Sequence, residues 1–196
     1  MGDRFDSARM EAFSDGVFAI AITLLVLEIS VPTSAFDHLW RGIANQWPSY
    51  LAYVTSFLTI GGLWLVHHAV FRRMRFADQV VLRLNLLLLM LVSFLPFPTK
   101  LMAEALHEKA GEHAAVLFYG ATLLVITSIV AAMGRYAARE QLIAEHDHRE
   151  AVRRMSDRLA PSLGVYVIVI LLAIFAPTVA VFGFLVVALR AVARPP

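Results

Sequence analysis

Six apolar runs recur along the chain, at about 12–30, 49–71, 79–98, 114–134, 160–176 and 178–193. Crossing a hydrocarbon core of roughly 30 Å takes about 20 helical residues. A soluble domain of this length has no interior large enough to hide so many runs. Composition agrees: 59% of residues are hydrophobic and 16% charged, against about a quarter charged in soluble domains. The mean hydropathy is +0.70. The expected fold is all-α, a polytopic membrane protein with six transmembrane helices forming one domain over residues 1–196. The last two runs are short and could form one re-entrant hairpin around Pro177. Two spans are expected instead, because Ala160–Phe175 and Thr178–Val192 are each apolar throughout. Pro48 suits the first turn of the second helix. Pro96 and Pro98 are expected to end the third, and Gly134 the fourth. No small-residue cleavage site follows the first run, so it is expected to stay in the membrane.

Basic residues set the orientation. With the N-terminus inside, Arg4, Arg9, Arg72, Arg73, Arg75, Arg83, Arg135, Arg139, Arg149, Arg153, Arg154, Arg158, Arg190 and Arg194 are cytoplasmic, 14 of the 17 basic residues. Arg41, Lys100 and Lys109 lie outside. Both termini are therefore expected in the cytoplasm of a cell membrane. Because topology places these charges, the net charge of +2 gives no reason to expect nucleic acid as a partner. Residues 135–158 read as a solvated cytoplasmic helix between spans four and five, with His146 and His148 as plain solvated side chains. Lys100–His113 reads as a shorter amphipathic connection outside. The absence of cysteine excludes disulfides, thiolate metal sites and thiol nucleophiles.

Ionisable groups inside spans are costly and each needs a reason. Asp15, Glu28, His67, His68 and Arg83 are the candidates, with Asn85 and Trp64 as neutral polar company. Topology puts Asp15, His67, His68, Arg83 and Asn85 at one depth near the inner interface. Three helices can therefore meet there in a polar knot, with Asp15 accepting from imidazole, amide or guanidinium groups. Such a knot can simply fix helix packing, or it can relay protons or gate. His67 and His68 are about 100° apart on a helix and cannot both face one partner. Metal binding would need three- or four-residue spacing and a third ligand. Glu28, near the outer end of span one, either reaches the headgroups or helps concentrate cations at a pore mouth.

Within the first span, Gly16, Ile20, Thr23 and Leu27 fall along one helical stripe, with Asp15 about 140° from Ile20. One face is small and branched around a lone hydroxyl; another carries an acid that needs partners. The stripe reads either as packing, with Thr23 bonding back to its own helix, or as the lining of an ion path. No TVGYG stretch supplies a carbonyl filter, and no P-loop, GxSxG or HExxH points to an enzyme or a cofactor.

The chain resembles prokaryotic members of the transmembrane protein 175 family of endosomal and lysosomal potassium channels. The resemblance is carried by an Arg-x-x-x-Phe-Ser-Asp signature at Arg9, Phe13, Ser14 and Asp15. It continues through Trp64, His67-His68, Asn85 and the Leu95–Phe97 triplet. Six spans match one repeat of that family. The resemblance implies a homotetrameric potassium-preferring channel with a pore lined by the first helix of each subunit. A hydrophobic constriction at Ile20, Leu27 further out and a hydroxyl layer at Thr23, touched transiently by K+, follow by offset from Asp15. Arg9, Phe13, Ser14, Asp15, Trp64, His67 or His68 and Asn85 match its structural and gating network. A proton-coupled secondary transporter using Asp15 and a histidine is the competing expectation, although the paired repeats and broken helices common in transporters are not evident.

Overall fold

In the computed structural model, residues 7–30, 33–74, 76–140, 142 and 163–193 are described. Helix α1 spans Ser7–Leu24 and tightens into a 3-10 turn over Leu25–Glu28. A second 3-10 segment, Thr33–His38, leads into the short α2, Leu39–Asn45. The remaining helices are α3 (Trp47–Phe71), α4 (Gln79–Phe94), α5 (Pro96–Glu108), α6 (Glu112–Arg139), α7 (Leu163–Phe175) and α8 (Pro177–Ala193). The architecture is all-helical. Four helical stretches are long and apolar enough to cross a membrane: Ser7–Glu28, Trp47–Phe71, Gln79–Glu108 and Glu112–Arg139. Helices α7 and α8 are apolar but shorter, so length and composition identify four crossings among the described residues, where six runs were expected.

Proline explains one boundary and corrects another. Pro48 sits in the first turn of α3, where its missing N–H costs nothing. Pro96 and Pro98 were expected to end the third span, yet they occupy the first turn of α5. Leu95 keeps a right-handed helical backbone there, so the helix resumes at once. The segment after them is thus more than a connection. Helix α5 packs on α3 and α6 and buries Met102, Ala103 and Leu106. Gly134 does not stop the fourth span either; it is buried inside α6, which runs to Arg139. The beginning of the expected polar helix at 135–158 is therefore the end of α6. Residues 141 and 143–158, including His146 and His148, lie outside the described residues, as do Arg4, Arg75 and Arg194.

Lipid tails are as apolar as leucine, so helices in a bilayer associate through close packing and buried polar contacts. Helix α3 is the hub, packed against α1, α5 and α8. A Cβ at Gly62 would come within 2.9 Å of the Ala191 Cβ, and one at Gly120 would lie 2.7 Å from Ile170 and 2.8 Å from Phe184. Gly62 lets α3 meet α8 closely, and Gly120 leaves room on α6 for the Ile170 side chain of α7 and the Phe184 ring of α8. Hydroxyls join the interior elsewhere. Ser56 Oγ lies 2.8 Å from Thr99 Oγ1 and 3.0 Å from the Tyr119 hydroxyl, tying α3, α5 and α6 together. At the other end of the bundle, Asp78 caps α4 by accepting from Val81 N at 2.9 Å, and it also accepts from the Tyr136 hydroxyl of α6.

Helix α1 is the most peripheral of the four long stretches. It rests on α3 and α4 through Met10, Ser14, Phe18 and Ala21, with Leu25 buried just beyond. Only 28% of its apolar window is buried within the chain, against 39–56% for the other three.

Candidate functional site

The two faces of α1 carry different chemistry. On the buried face, a one-way chain of hydrogen bonds crosses three helices. His67 Nε2 on α3 donates to Asn85 Oδ1 on α4 at 2.9 Å. Asn85 Nδ2 donates to Ser14 Oγ at 2.9 Å, and Ser14 Oγ donates to the Met10 carbonyl, one turn back in α1, at 2.8 Å. The orientation of the Asn85 amide follows from this order. Ser14 has a single hydrogen, already given to Met10, so the amide must offer it an N–H and turn its oxygen to the histidine. That in turn selects the His67 tautomer with its hydrogen on Nε2. His67 Nδ1 has no hydrogen-bond partner among the described residues; its ring is held between Phe18, with centroids 5.3 Å apart, and Phe71 at 4.3 Å. Ser14, His67 and Asn85 are all buried.

Asp15 joins a second, parallel contact. Its Oδ1 accepts from Trp64 Nε1 at 2.8 Å, and the Trp64 ring stacks on His68 at 5.5 Å. His68 turns towards Glu11, whose Oε1 lies 2.7 Å from its Nδ1. That approach is close in distance but lacks hydrogen-bond alignment. Polar groups of α1, α3 and α4 meet here, in pairs other than those topology suggests. Asp15 is held by an indole, and among the described residues no imidazole, amide or guanidinium donates to it. His67 faces Asn85, and His68 faces Glu11. Arg83 is exposed on α4, about 200° around the helix from Asn85, and takes no part. Glu11 was not among the expected residues; it precedes Asp15 by one helical turn, the spacing that could have revealed it.

Arg9 and Phe13, expected in the network, lie on the other face. Arg9, Phe13, Gly16, Ile20 and Thr23 are exposed and fall within about 40° of one line along α1; Leu27, in the 3-10 turn that follows, is exposed as well. Phe13 is 59% exposed, Ile20 61% and Leu27 71%. Thr23 Oγ1 donates to the Ile20 carbonyl at 2.9 Å. That bond uses the hydroxyl hydrogen and leaves the oxygen lone pairs for the open side. Glu28, beyond the stripe, pairs with Lys100 of α5 at 3.5 Å. Among the described residues, no group of three or more histidine or carboxylate side chains could hold a metal ion.

Comparison with known proteins agrees across sequence and structure. The profile of the endosomal/lysosomal potassium channel TMEM175 family matches residues 9–96. A potassium channel of Chamaesiphon minutus is 40% identical over 171 residues, which cover 85% of this chain and 83% of that protein. A potassium channel of Streptomyces collinus is 48% identical over 122 residues, 62% of this chain and 59% of that protein. The endosomal/lysosomal proton channel TMEM175 of Gallus gallus is 35% identical over 125 residues, which span 25% of its length. The crystal structure of a lysosomal potassium-selective channel TMEM175 homologue from Chamaesiphon minutus superposes with a TM-score of 0.86 at 37% identity. It covers 96% of this chain and 97% of its own. A crystal structure of a variant of the potassium channel MtTMEM175, with a TM-score of 0.63 and 21% identity, supports the fold alone.

Proposed function

The chain belongs to the TMEM175 family of ion channels and is not an enzyme, and from that premise we propose that it is a potassium-preferring cation channel whose pore is lined by α1. Four copies set their α1 stripes around a shared axis in a prokaryotic cell membrane. Helices α7 and α8 serve as the fifth and sixth crossings, and both termini face the cytoplasm. One observation carries this reading: the stretch Ser7–Glu28, the least buried of the four long ones, leaves Gly16, Ile20 and Thr23 of α1 and Leu27 of its closing 3-10 turn exposed. Its polar residues Ser14 and Asp15 are satisfied on the opposite side.

The chemistry follows from the side chains on that line. A ring of Ile20 side chains, narrow and apolar, excludes a hydrated ion by dewetting. A small rotation or splay of α1 admits water and ions. Beyond it, the free lone pairs of Thr23 replace part of a cation's hydration shell. Potassium holds its water less tightly than sodium, so partial dehydration favours it, and modest selectivity is expected without a carbonyl cage. The Ser14–Asn85–His67 chain and the Trp64–Asp15 bond fix the rotation of α1 about its own axis. They thereby decide which residues the stripe presents.

The test is recording from purified protein in planar bilayers under a potassium/sodium gradient, with liposome flux alongside. The expected result is a reversal potential on the potassium side and a severalfold rise in flux for Ile20→Asn. Unchanged flux in Ile20→Asn and Ile20→Ala would remove this residue from the pore. Saturable uptake driven by a pH gradient would replace the channel by a proton-coupled carrier.

A further inference from the structure

The buried hydroxyls Ser56, Thr99 and Tyr119 play no part in the pore chemistry, yet they position a charge beside it. Thr99 is 2% exposed; its hydroxyl bonds Ser56 of α3 at 2.8 Å and its own Leu95 carbonyl at 2.8 Å. This fixes the start of α5 against α3. The next residue, Lys100, then reaches across to the 3-10 turn that follows α1, and its Nζ lies 3.5 Å from Glu28 Oε2. Glu28 follows Leu27, the last residue of the exposed stripe.

We propose that Lys100 is a conductance-setting residue: by pairing with Glu28 it masks a carboxylate at the far mouth of the α1 pathway and so holds down the local concentration of cations there. This rests on α1 lining the pore. With one pair in each copy, the mouth carries as many masked carboxylates as there are subunits. Charges lining a mouth raise or lower the local concentration of permeant ions, and the effect weakens as salt rises. The Debye length falls from about 30 Å at 0.01 M salt to about 3 Å at 1 M. The Lys100 side chain is 51% exposed and that of Glu28 24%. The lysine end of the pair is open to solvent and its contribution to stability is small, so Lys100→Gln is expected to act through charge.

Single-channel currents of the full chain in planar bilayers test this at about 10 mM and about 1 M KCl. Lys100→Gln is expected to raise conductance about twofold or more at low salt, mostly for ions entering from the Glu28 side, and to match wild type at high salt. Glu28→Gln, which leaves the lysine unpaired, is expected to lower it by a similar factor. Lys100→Arg keeps the charge and is expected to conduct as wild type. Glu104, exposed one turn along α5, is the alternative partner, so the double variant Lys100→Gln/Glu28→Gln decides between them. A return to near wild-type conductance supports Glu28. A double variant as conductive as Lys100→Gln, a Lys100→Gln channel unchanged at low salt, or a change that persists at 1 M would each overturn the proposal. The pore reading itself fails separately, through Ile20.

Discussion

On its buried face, α1 gives Ser14 and Asp15 partners from two other helices; on the exposed side, Ile20, and Leu27 in the turn beyond it, direct most of their surface away from the chain, and Thr23 donates to its own helix. An orphaned polar group costs several kcal/mol in hydrocarbon, so the buried face depends on Asn85 and Trp64 for its stability. Nothing comparable constrains the exposed face, where every side chain except Arg9 and Thr23 is apolar or glycine. The contrast separates two jobs within one helix. Interior contacts set its position, and the outward stripe is left to meet whatever lies beyond the chain. Substitutions on the two faces should accordingly fail in different ways: inner ones in stability and assembly, outer ones in ion passage.

The largest expected effect lies at the centre of the knot. Asn85→Leu keeps approximate size but removes both hydrogen bonds of the amide, leaving the His67 Nε2 hydrogen and a Ser14 lone pair buried without partners. Each buried group left unpaired costs about 1–3 kcal/mol. The expected outcome is a marked drop in the thermal transition of the detergent-solubilised protein, followed by fluorescence-detected size exclusion. An unchanged transition would mean that the chain of bonds does not hold the helices together.

A smaller loss is expected at Asp15, whose partner Trp64 is only half-buried. Asp15→Ala frees one indole N–H, and a single neutral-donor bond to a charged acceptor is worth about 1.5–3 kcal/mol at most. The yield of assembled protein should fall while the potassium/sodium permeability ratio of the channels that do form stays the same. A fully assembled protein with altered opening would blur the division between the faces and make the knot part of the gate.

Much of this division was legible before the fold was known, and the parts that were not have physical reasons. Topology alone brought Asp15, His67 and Asn85 to one depth, because successive spans alternate in direction. Helical periodicity alone grouped Gly16, Ile20, Thr23 and Leu27. Partner choice was out of reach, since depth fixes which groups are near but not which way each points. The same 100° step that separates His67 from His68 sent one to Asn85 and the other towards Glu11. Grouping Arg9 and Phe13 with the knot took a signature contiguous in sequence to be contiguous in space, whereas the wheel puts both on the exposed line. Proline at 96 reads as a stop in the sequence, yet its chemistry equally permits a start, and it opens α5. The Ser56–Thr99–Tyr119 cluster left no trace, because isolated hydroxyls in apolar helices also satisfy themselves on their own backbone, as Thr59 does with Thr55.

Thr23 gives the smallest and sharpest test. The hydroxyl donates to the Ile20 carbonyl, and a bond of that kind is often taken as the whole purpose of a threonine in a membrane helix. Donation, however, spends only the hydrogen; a cation seeks the oxygen lone pairs, which remain on the exposed side. The two roles are therefore compatible, and Thr23→Val separates them by keeping the shape and removing the oxygen. Losing the back-bond on an exposed position leaves the Ile20 carbonyl still held by the helix, so little change in stability is expected. An oxygen that favours potassium over sodium by about 0.5–1 kcal/mol would, on removal, lower the potassium/sodium permeability ratio about two- to fivefold. Reversal potentials under mixed gradients read that ratio directly. A ratio unaltered in an intact, conducting Thr23→Val channel would return the hydroxyl to its own helix and leave the outer face with size as its only means of discrimination.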